Sequence, residues 1–387
     1  MMFWKKNIEM EIPVVGEEDY SYKVNFRDGY VHTLTQLAKD VASKKDKRKV
    51  AIITDSNVKP LYGDTLRYKL LEHGISPELI WVPAGEQSKT LGCAHGIMNF
   101  LSAKKFDRNS TLLIALGGGV IGDLIGTVAL LHNRGVDYTQ VPTTLLAQVD
   151  SSIGFKVAVD TEMAKNGAGG FYPPKVVWTD VSMLKTLDRR QYSCGLAEVI
   201  KMATSSDRKL FDKLSVQISK EALNPDSLEA NLELVQRACE IKKRIVSLDP
   251  RERNSDSLRA VLNLGHTIGH AYEFLSGYTL LHGEAVSVGT VGAAHISLER
   301  GMLTDREFAL IENTFSSADL PVRIPDNLKS QDAKAVIEQM KLDKKSEDGI
   351  IYMVLPEKIG VMARESGRYR IAVKEDEITR ALDYLRN

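Results

Sequence analysis

The segment LNLGHTIGHAYEFLSG (262–277) sets His266 and His270 one helical turn apart, and His282 follows in LLHGEAVSVG. Side chains four residues apart share a helix face, and imidazole nitrogen is a ligand for divalent ions. Three readings are open on spacing alone: a metal site, a packed helix with incidental imidazoles, or an anion site. A metal needs a further donor, and Glu198 in CGLAEVIKMAT (194–204) is the candidate, because it follows the apolar-small run GLA and not a charged stretch. Two imidazoles and one carboxylate suit zinc, with a coordination position left for water or substrate. Lys201 stands three residues after Glu198, and the ordinary alternative for that pair is an ion pair on a helix surface. His32, His73, His95, His132 and His295 have no companion pattern.

The N-terminal half carries a different chemistry. Gly117, Gly119 and Gly122 form G-x-G-x-x-G after an apolar run and before a helical one. Glycines there let backbone approach a pyrophosphate, whose charge the helix N-terminus favours. The acidic partner expected about 20 residues on is not evident; Asp55 in TDSNV could hold a ribose hydroxyl instead, or simply cap a helix. GEQSKT (85–90) puts Glu86 and Lys89 in a loop at a strand end, where open α/β sheets place ligands; a solvated turn is the plainer alternative. In VPTTLLAQVDSSIGFKVAVDTEMAKNGAGGFYPP (141–174), Asp150, Lys156, Lys165 and Asn166 interrupt an apolar or glycine-rich stretch. Lysines beside glycines suit phosphate. Lys156 lies between Phe155 and Val157, where an exposed charge is unexpected.

These residues need elements to position them. KVAIITDSNV, ELIWVPAGEQSKT, TLLIALG, DYTQVPTTLLAQV and PKVVWTD read as strands, with helical patterns between them, which implies a largely parallel sheet. After Asp180 the chain turns to helix formers with a 3.6-residue apolar period, as in LSVQISKEALNPDSLEANLELVQRACEIKKRIVSL (214–248). The expected organisation is an α/β + α chain: a Rossmann-like parallel α/β domain over 1–186 and a mostly helical domain over 187–387, with DPRERNSDS (249–257) as a polar loop in the second. The 387 residues are 43% hydrophobic, enough for two ordinary cores. Lys and Arg number 51 against 51 Asp and Glu, so no global field draws the chain to nucleic acid or an anionic membrane. Three widely spaced cysteines argue against a disulfide framework or thiolate zinc site. No run of about 18 apolar residues occurs and MMFWKKNIEMEIP lacks signal-peptide features, so a soluble cytoplasmic protein is expected.

The segments GEQSKT, ALGGGVIGDLIG, RGVDYTQVPTTLLAQVDSSIG, KN…GGFYPP, GLAEVIK, LRAVLNLGHTIGHAYE, HGEAVSVG and DKKSEDG stand in the order and approximate spacing of 3-dehydroquinate synthases. The resemblance runs from about residue 50 to about residue 360. It extends to the wider sugar-phosphate cyclases and, distantly, to the iron-dependent alcohol dehydrogenases. It implies that Glu198, His266 and His282 bind a divalent metal, zinc or alternatively cobalt, while His270 faces substrate. It implies NAD contacts from Asp55, Asn57, Glu86, Lys89, Gly118, Gly119, Asp123, Thr143, Thr144, Asp150 and Lys165. Lys156, Asn166, Asn263 and Lys344 or Lys345 resemble phosphate-side ligands. Lys242 and Arg259 match positions that hold a substrate carboxylate, and Lys201 matches another active-site lysine. Arg134 resembles an arginine that reaches a neighbouring subunit's site, which implies a homodimer. The implied reaction on 3-deoxy-D-arabino-heptulosonate 7-phosphate is transient oxidation by NAD, β-elimination of phosphate, reduction, and aldol closure to 3-dehydroquinate.

One loop departs from the pattern. Where these synthases read G-G-K-T-G-V-N, this chain reads Gly154-Phe155-Lys156-Val157-Ala158-Val159-Asp160. K-V-A-V resembles cyclases that act on sedoheptulose 7-phosphate, so a 2-epi-5-epi-valiolone or 2-deoxy-scyllo-inosose synthase (the latter acting on glucose 6-phosphate) is the alternative. A metal-dependent NAD polyol dehydrogenase is a further one. The pairing of His270 with Arg259 favours the carboxylated substrate, because a guanidinium grips a carboxylate bidentately.

Overall fold

The computed structural model describes residues 8–12, 21–43, 48–162, 164–252, 258–342 and 350–387. The chain forms two compact units, one of residues 1–187 with 225–239, the other of 188–224 with 240–387. The sequence reading assigned 225–239 wholly to the helical part. Here the segment belongs with the α/β unit, where the Cys239 thiol donates to the Gln148 carbonyl at 3.3 Å.

The first unit is built on a seven-stranded sheet of β1 (Ile8–Ile12), β2 (Tyr22–Arg27), β3 (Lys49–Asp55), β4 (Glu78–Val82), β5 (Thr111–Gly117), β6 (Asp137–Pro142) and β9 (Val176–Asp180). Their order is β1-β2-β9-β6-β5-β3-β4, and only β1 against β2 is antiparallel. Two short strands, β7 (Lys156–Val159) and β8 (Ala168–Phe171), form a separate hairpin-like pair. Helices α1 (Tyr30–Ser43), α2 (Asp64–Glu72), α3 (Leu91–Ala103) and α4 (Gly119–Leu131) complete it. After Thr111 the run TLLIALG carries no polar side chain, because β5 is buried on both faces. Leu113 and Ala115 join the core with Ala94, Leu124 and Val128, while Leu112, Ile114 and Leu116 join the opposite core with Leu34, Leu37 and Leu66. The expected strand 137–149 ends at Pro142; residues 147–151 instead coil into one wide helical turn.

The second unit holds α5 (Arg189–Ser206), α6 (Arg208–Ser219), the latter part of α7 (Leu228–Val246), α8 (His266–Leu275), α9 (His282–Glu299), α10 (Asp305–Ser317), α11 (Ala333–Lys341) and α12 (Glu375–Arg386). Four short strands, β10 (Ile351–Met353), β11 (Pro356–Lys358), β12 (Val361–Met362) and β13 (Ile371–Val373), add two small antiparallel pairs that the helical reading did not foresee. Their three or fewer residues are too short for a period-2 pattern to register. From Tyr192 to Ser205 α5 is buried all round, as is most of α9, which marks both as central helices. No helix of the described residues is long and apolar enough to cross a membrane.

Candidate functional site

Glycine decides how close α5, α8 and α9 come. A Cβ on Gly289 of α9 would stand 1.9 Å from the Gly265 carbonyl oxygen, and one on Gly283 would stand 2.4 Å from the Cys194 Cα. Backbone therefore meets backbone at α8–α9 and α5–α9. Gly265, at φ +78, turns the chain into α8, a conformation that suits glycine. Arg190 clamps the first turn of α9 through two guanidinium donors to Glu284, at 2.5 and 2.8 Å.

That packing brings Glu198, His266 and His282 together, with their ligand atoms all within 4.8 Å of one another. Glu198 Oε1 lies 3.2 Å from His282 Nε2 and 3.8 Å from His266 Nε2. The carboxylate is fully buried, and Lys201, only 2% exposed, reaches its other oxygen and donates to the Leu262 carbonyl at 2.7 Å. The expected surface ion pair is thus an interior one. His266 Nδ1 sits 3.1 Å from the Leu264 carbonyl. A carbonyl can only accept, so Nδ1 carries a hydrogen, and Nε2 is the nitrogen turned toward Glu198. His282 Nδ1 faces Glu273 at 3.2 Å. Burial lowers the His282 pKa, but Glu273 and Glu198 outweigh that and push it up to about 9. His270 is the exposed member of the helix pair, 40% accessible, with Nε2 4.0 Å from Glu273. The two imidazoles of the pair differ: His266 turns to Glu198, while His270 is the more accessible and nears Glu273.

Glu273 escaped the sequence reading. Its signal was present, since His266, His270 and Glu273 stand at i, i+4 and i+7, one helix face.

Elsewhere in this unit Arg259 is buried, donating to the carbonyls of Asp249 and Pro250 at 2.8 and 2.5 Å and pairing with Glu252 at 3.1 Å. Lys242 is buried on α7, and Asn263 is partly buried at the end of the turn before α8. Lys344, Lys345 and residues 253–257 of the polar loop lie outside the described residues.

In the first unit the site elements gather at the β5–α4 turn. Gly118 and Gly119 open α4, and a Cβ on them would stand 3.0 Å from Thr144 Cγ2 and 3.1 Å from Ser151 Oγ. Thr143 donates its N–H to the Gly117 carbonyl at 3.0 Å, and its buried hydroxyl has no hydrogen-bond partner among the described residues. The Thr144 hydroxyl caps the Ala147 N–H at 3.1 Å, and Asp150 lies partly buried in the following turn. Lys89, buried, bonds Asp123 at 2.6 Å and Asn166 Oδ1 at 2.6 Å, with Glu86 at 3.9 Å. Burial works against its charge, but the carboxylates of Asp123 and Glu86 overcome this and hold Lys89 above the ordinary lysine range. Lys165 reaches Glu86 at 3.7 Å. GEQSKT is therefore no free solvated turn.

Asp55 accepts from the N–H groups of exposed Asn57 and of Val58, at 2.8 and 2.9 Å, closing the turn that leaves β3. Arg134 is exposed after α4 at φ +64. Lys156 is exposed at the start of β7, against the expectation from its apolar neighbours. Strand alternation explains it: Val157 and Val159 point into the core, where Val157 packs over Gly126, and Lys156 takes the other face. Phe155 is buried edge-to-face against Tyr22 and Phe171. Asp160 accepts the Asn166 N–H at 2.7 Å, fixing that residue at φ +53 beside Lys89.

Fold and site together define an α/β and helical protein with a glycine turn between β5 and α4 and a buried two-histidine, one-carboxylate cluster. Residues 79–194 match the 3-dehydroquinate synthase N-terminal family and 195–346 the 3-dehydroquinate synthase C-terminal family. The chain belongs to the 3-dehydroquinate synthase family. It is 45% identical to the 3-dehydroquinate synthase of Thermodesulfovibrio yellowstonii over 81% of this chain and 86% of that one. It is 42% identical to the Syntrophotalea carbinolica enzyme of that name, over 90% and 92%. Among solved structures, the 2-epi-5-epi-valiolone synthase of Streptomyces hygroscopicus with NAD+ and Zn2+ bound superposes with a TM-score of 0.85 at 27% identity, covering 96% and 98% of the two chains. A 2-deoxy-scyllo-inosose synthase superposes at 0.82 and 23% identity over 97% and 99%, a likeness of fold.

Proposed function

We propose that this chain converts 3-deoxy-D-arabino-heptulosonate 7-phosphate to 3-dehydroquinate and phosphate, as a phosphate-eliminating lyase with NAD and a divalent metal. The observation that carries the reading is the convergence of Glu198 Oε1, His266 Nε2 and His282 Nε2 within 4.8 Å inside a chain of this family. That donor set fits zinc, and cobalt as well. The close-packed glycines at the start of α4 and the unpartnered Thr143 hydroxyl fit a dinucleotide phosphate region. A divalent metal held by Glu198, His266 and His282 would supply Lewis acidity toward an alcohol and its ketone, and NAD would supply a hydride acceptor and donor.

The chain's own groups do the rest. Lys201 pairs with Glu198 and seats its carboxylate, so the donor set is held before anything binds. Lys89 and Asp123 fix the loop of Glu86 and Asn166. Lys156 and Asn166 hold the substrate phosphate, with Asn263 and Lys344 or Lys345 in the same role, and steady the dianion as it departs. Lys242 and Arg259 take the carboxylate, and His270, the exposed imidazole, holds or moves a proton at the substrate. Asp55, Asn57, Thr144, Asp150 and Lys165 complete the nucleotide contacts. Arg134 serves a second copy, making the working species a homodimer, and its place is the cytoplasm.

The departures around Lys156 first raised a cyclase for a neutral-headed sugar phosphate. Phe155 and Val157 are core residues, Ala158 is a partly buried methyl between Val157 and Val159, and Asp160 holds the Asn166 backbone as an asparagine could. None of these four needs a new substrate to account for it. The test is the purified enzyme with NAD and Zn2+ on three substrates: the carboxylated heptulosonate phosphate, sedoheptulose 7-phosphate and glucose 6-phosphate. Phosphate release from the first, without accumulating NADH, is expected. Activity on sedoheptulose 7-phosphate alone would move the chain to the valiolone type, and net NADH to a dehydrogenase.

A further inference from the structure

Glu273 is 2% exposed on α8, beside the three groups assigned to the metal and outside that set. Its Oε2 lies 3.2 Å from His282 Nδ1, and 4.0 Å from His270 Nε2. A second trio, His270, Glu273 and His282, could on distance alone also hold an ion, and the two trios share His282. They use opposite faces of that ring. The first takes Nε2, which points at Glu198, and the second would take Nδ1, which points at Glu273. One imidazole serves a single ion through one nitrogen while the other nitrogen carries a hydrogen, so a choice is forced.

His266 shows the same choice made. Its Nδ1 is tied to the Leu264 carbonyl, leaving Nε2 for Glu198. Both histidines thus turn Nε2 to the same carboxylate oxygen and Nδ1 to an acceptor on α8 or its approach. The Glu198 side is also the deeper one, fully buried and braced by Lys201.

We infer that Glu273 is a positioning residue: its carboxylate accepts the Nδ1 hydrogen of His282, fixing the tautomer and ring orientation that present Nε2 to the metal. The inference rests on the metal reading above. Removing such an outer carboxylate typically costs about 10–100-fold in metal affinity. Its position between His282 and His270 also ties the metal side to the substrate-facing imidazole through one side chain.

The experiment measures Zn2+ dissociation constants by chelator competition for the wild type, Glu273→Gln and Glu273→Met. Glutamine keeps an acceptor in the same volume, and methionine fills the space without one. The expected result is affinity weakened about 10–100-fold in Glu273→Met and partly or wholly restored in Glu273→Gln, with turnover recovering when zinc is raised to saturation. In parallel, 15N NMR of zinc-loaded wild type reads the ring directly: His282 should show a hydrogen on Nδ1 and the metal on Nε2. Metal on Nδ1 overturns the inference, and so does wild-type affinity in Glu273→Met with only its metal-free melting temperature lowered. Should Glu273→Met not fold, the wild-type spectrum decides. A wild type that binds no Zn2+ removes the metal reading itself, a different outcome from variants that bind as the wild type does.

Discussion

Gly289→Ala tests whether backbone contact between α8 and α9 is what assembles the histidine cluster. The added Cβ would meet the Gly265 carbonyl oxygen at 1.9 Å and the Gly269 nitrogen at 2.8 Å, both backbone atoms with no rotamer to yield. Restoring the first contact to an ordinary 3.4 Å requires the helices to part by about 1.5 Å. Overpacking of this kind costs about 1–3 kcal/mol, and at this unit's size each kcal/mol lowers Tm by roughly 2–4 °C. The larger consequence falls on the site. His266 opens α8 and His282 opens α9, while metal ligands tolerate displacements of only about 0.2 Å. Zinc affinity should therefore drop by at least about 10–100-fold, out of proportion to the loss of stability. Chelator competition and thermal melts on the same samples measure both. Gly96→Ala on α3, where the new Cβ meets nothing within 4 Å, is the control and should gain about 0.5–1 kcal/mol. Native zinc affinity in Gly289→Ala would refute the reasoning, whatever the melting temperature did.

Three further outcomes are expected. Lys89→Met strands the Asp123 carboxylate and should destabilise the protein by about 3–5 kcal/mol in urea unfolding, with much of that recovered in Lys89→Met/Asp123→Leu; a single-variant loss under about 1 kcal/mol would show the pair to be effectively solvated. Arg259→Ala should raise the substrate KM or abolish turnover while NAD binding, followed by fluorescence, stays intact, and unchanged kinetics would remove the carboxylate assignment. Burial pushes the Cys194 thiol up to about 12, so it should resist iodoacetamide in native protein at mildly alkaline pH and react after unfolding. By linkage, a thiol whose folded pKa lies above its unfolded one stabilises the fold below about pH 9, and that stability drains away as pH climbs toward 12. Rapid native labelling traced to Cys194 by mass spectrometry would contradict its burial.

Local physics wrote much of this molecule into its sequence. TLLIALG had to be a strand buried on both faces, the glycines after it had to turn into α4, and a four-residue histidine spacing had to share one face of α8. Those are statements about neighbours along the chain, and pattern suffices for them. Tertiary packing decided what pattern leaves open. Glu198 and Lys201 read as a surface pair because i,i+3 spacing is blind to what covers a helix; the glycine seams of α9 are what bury them. Lys156 looked enclosed by apolar neighbours, yet strand alternation sends it outward and Val157 inward. Asp160, six residues before Asn166, accepts that residue's N–H only because the chain turns back between them. Glu273 stayed unnoticed because its meaning depends on His282, which lies on another helix and turns Nδ1 toward it. Spacing along a chain fixes which side chains share a face; which nitrogen of a ring meets which oxygen is set only when two helices touch.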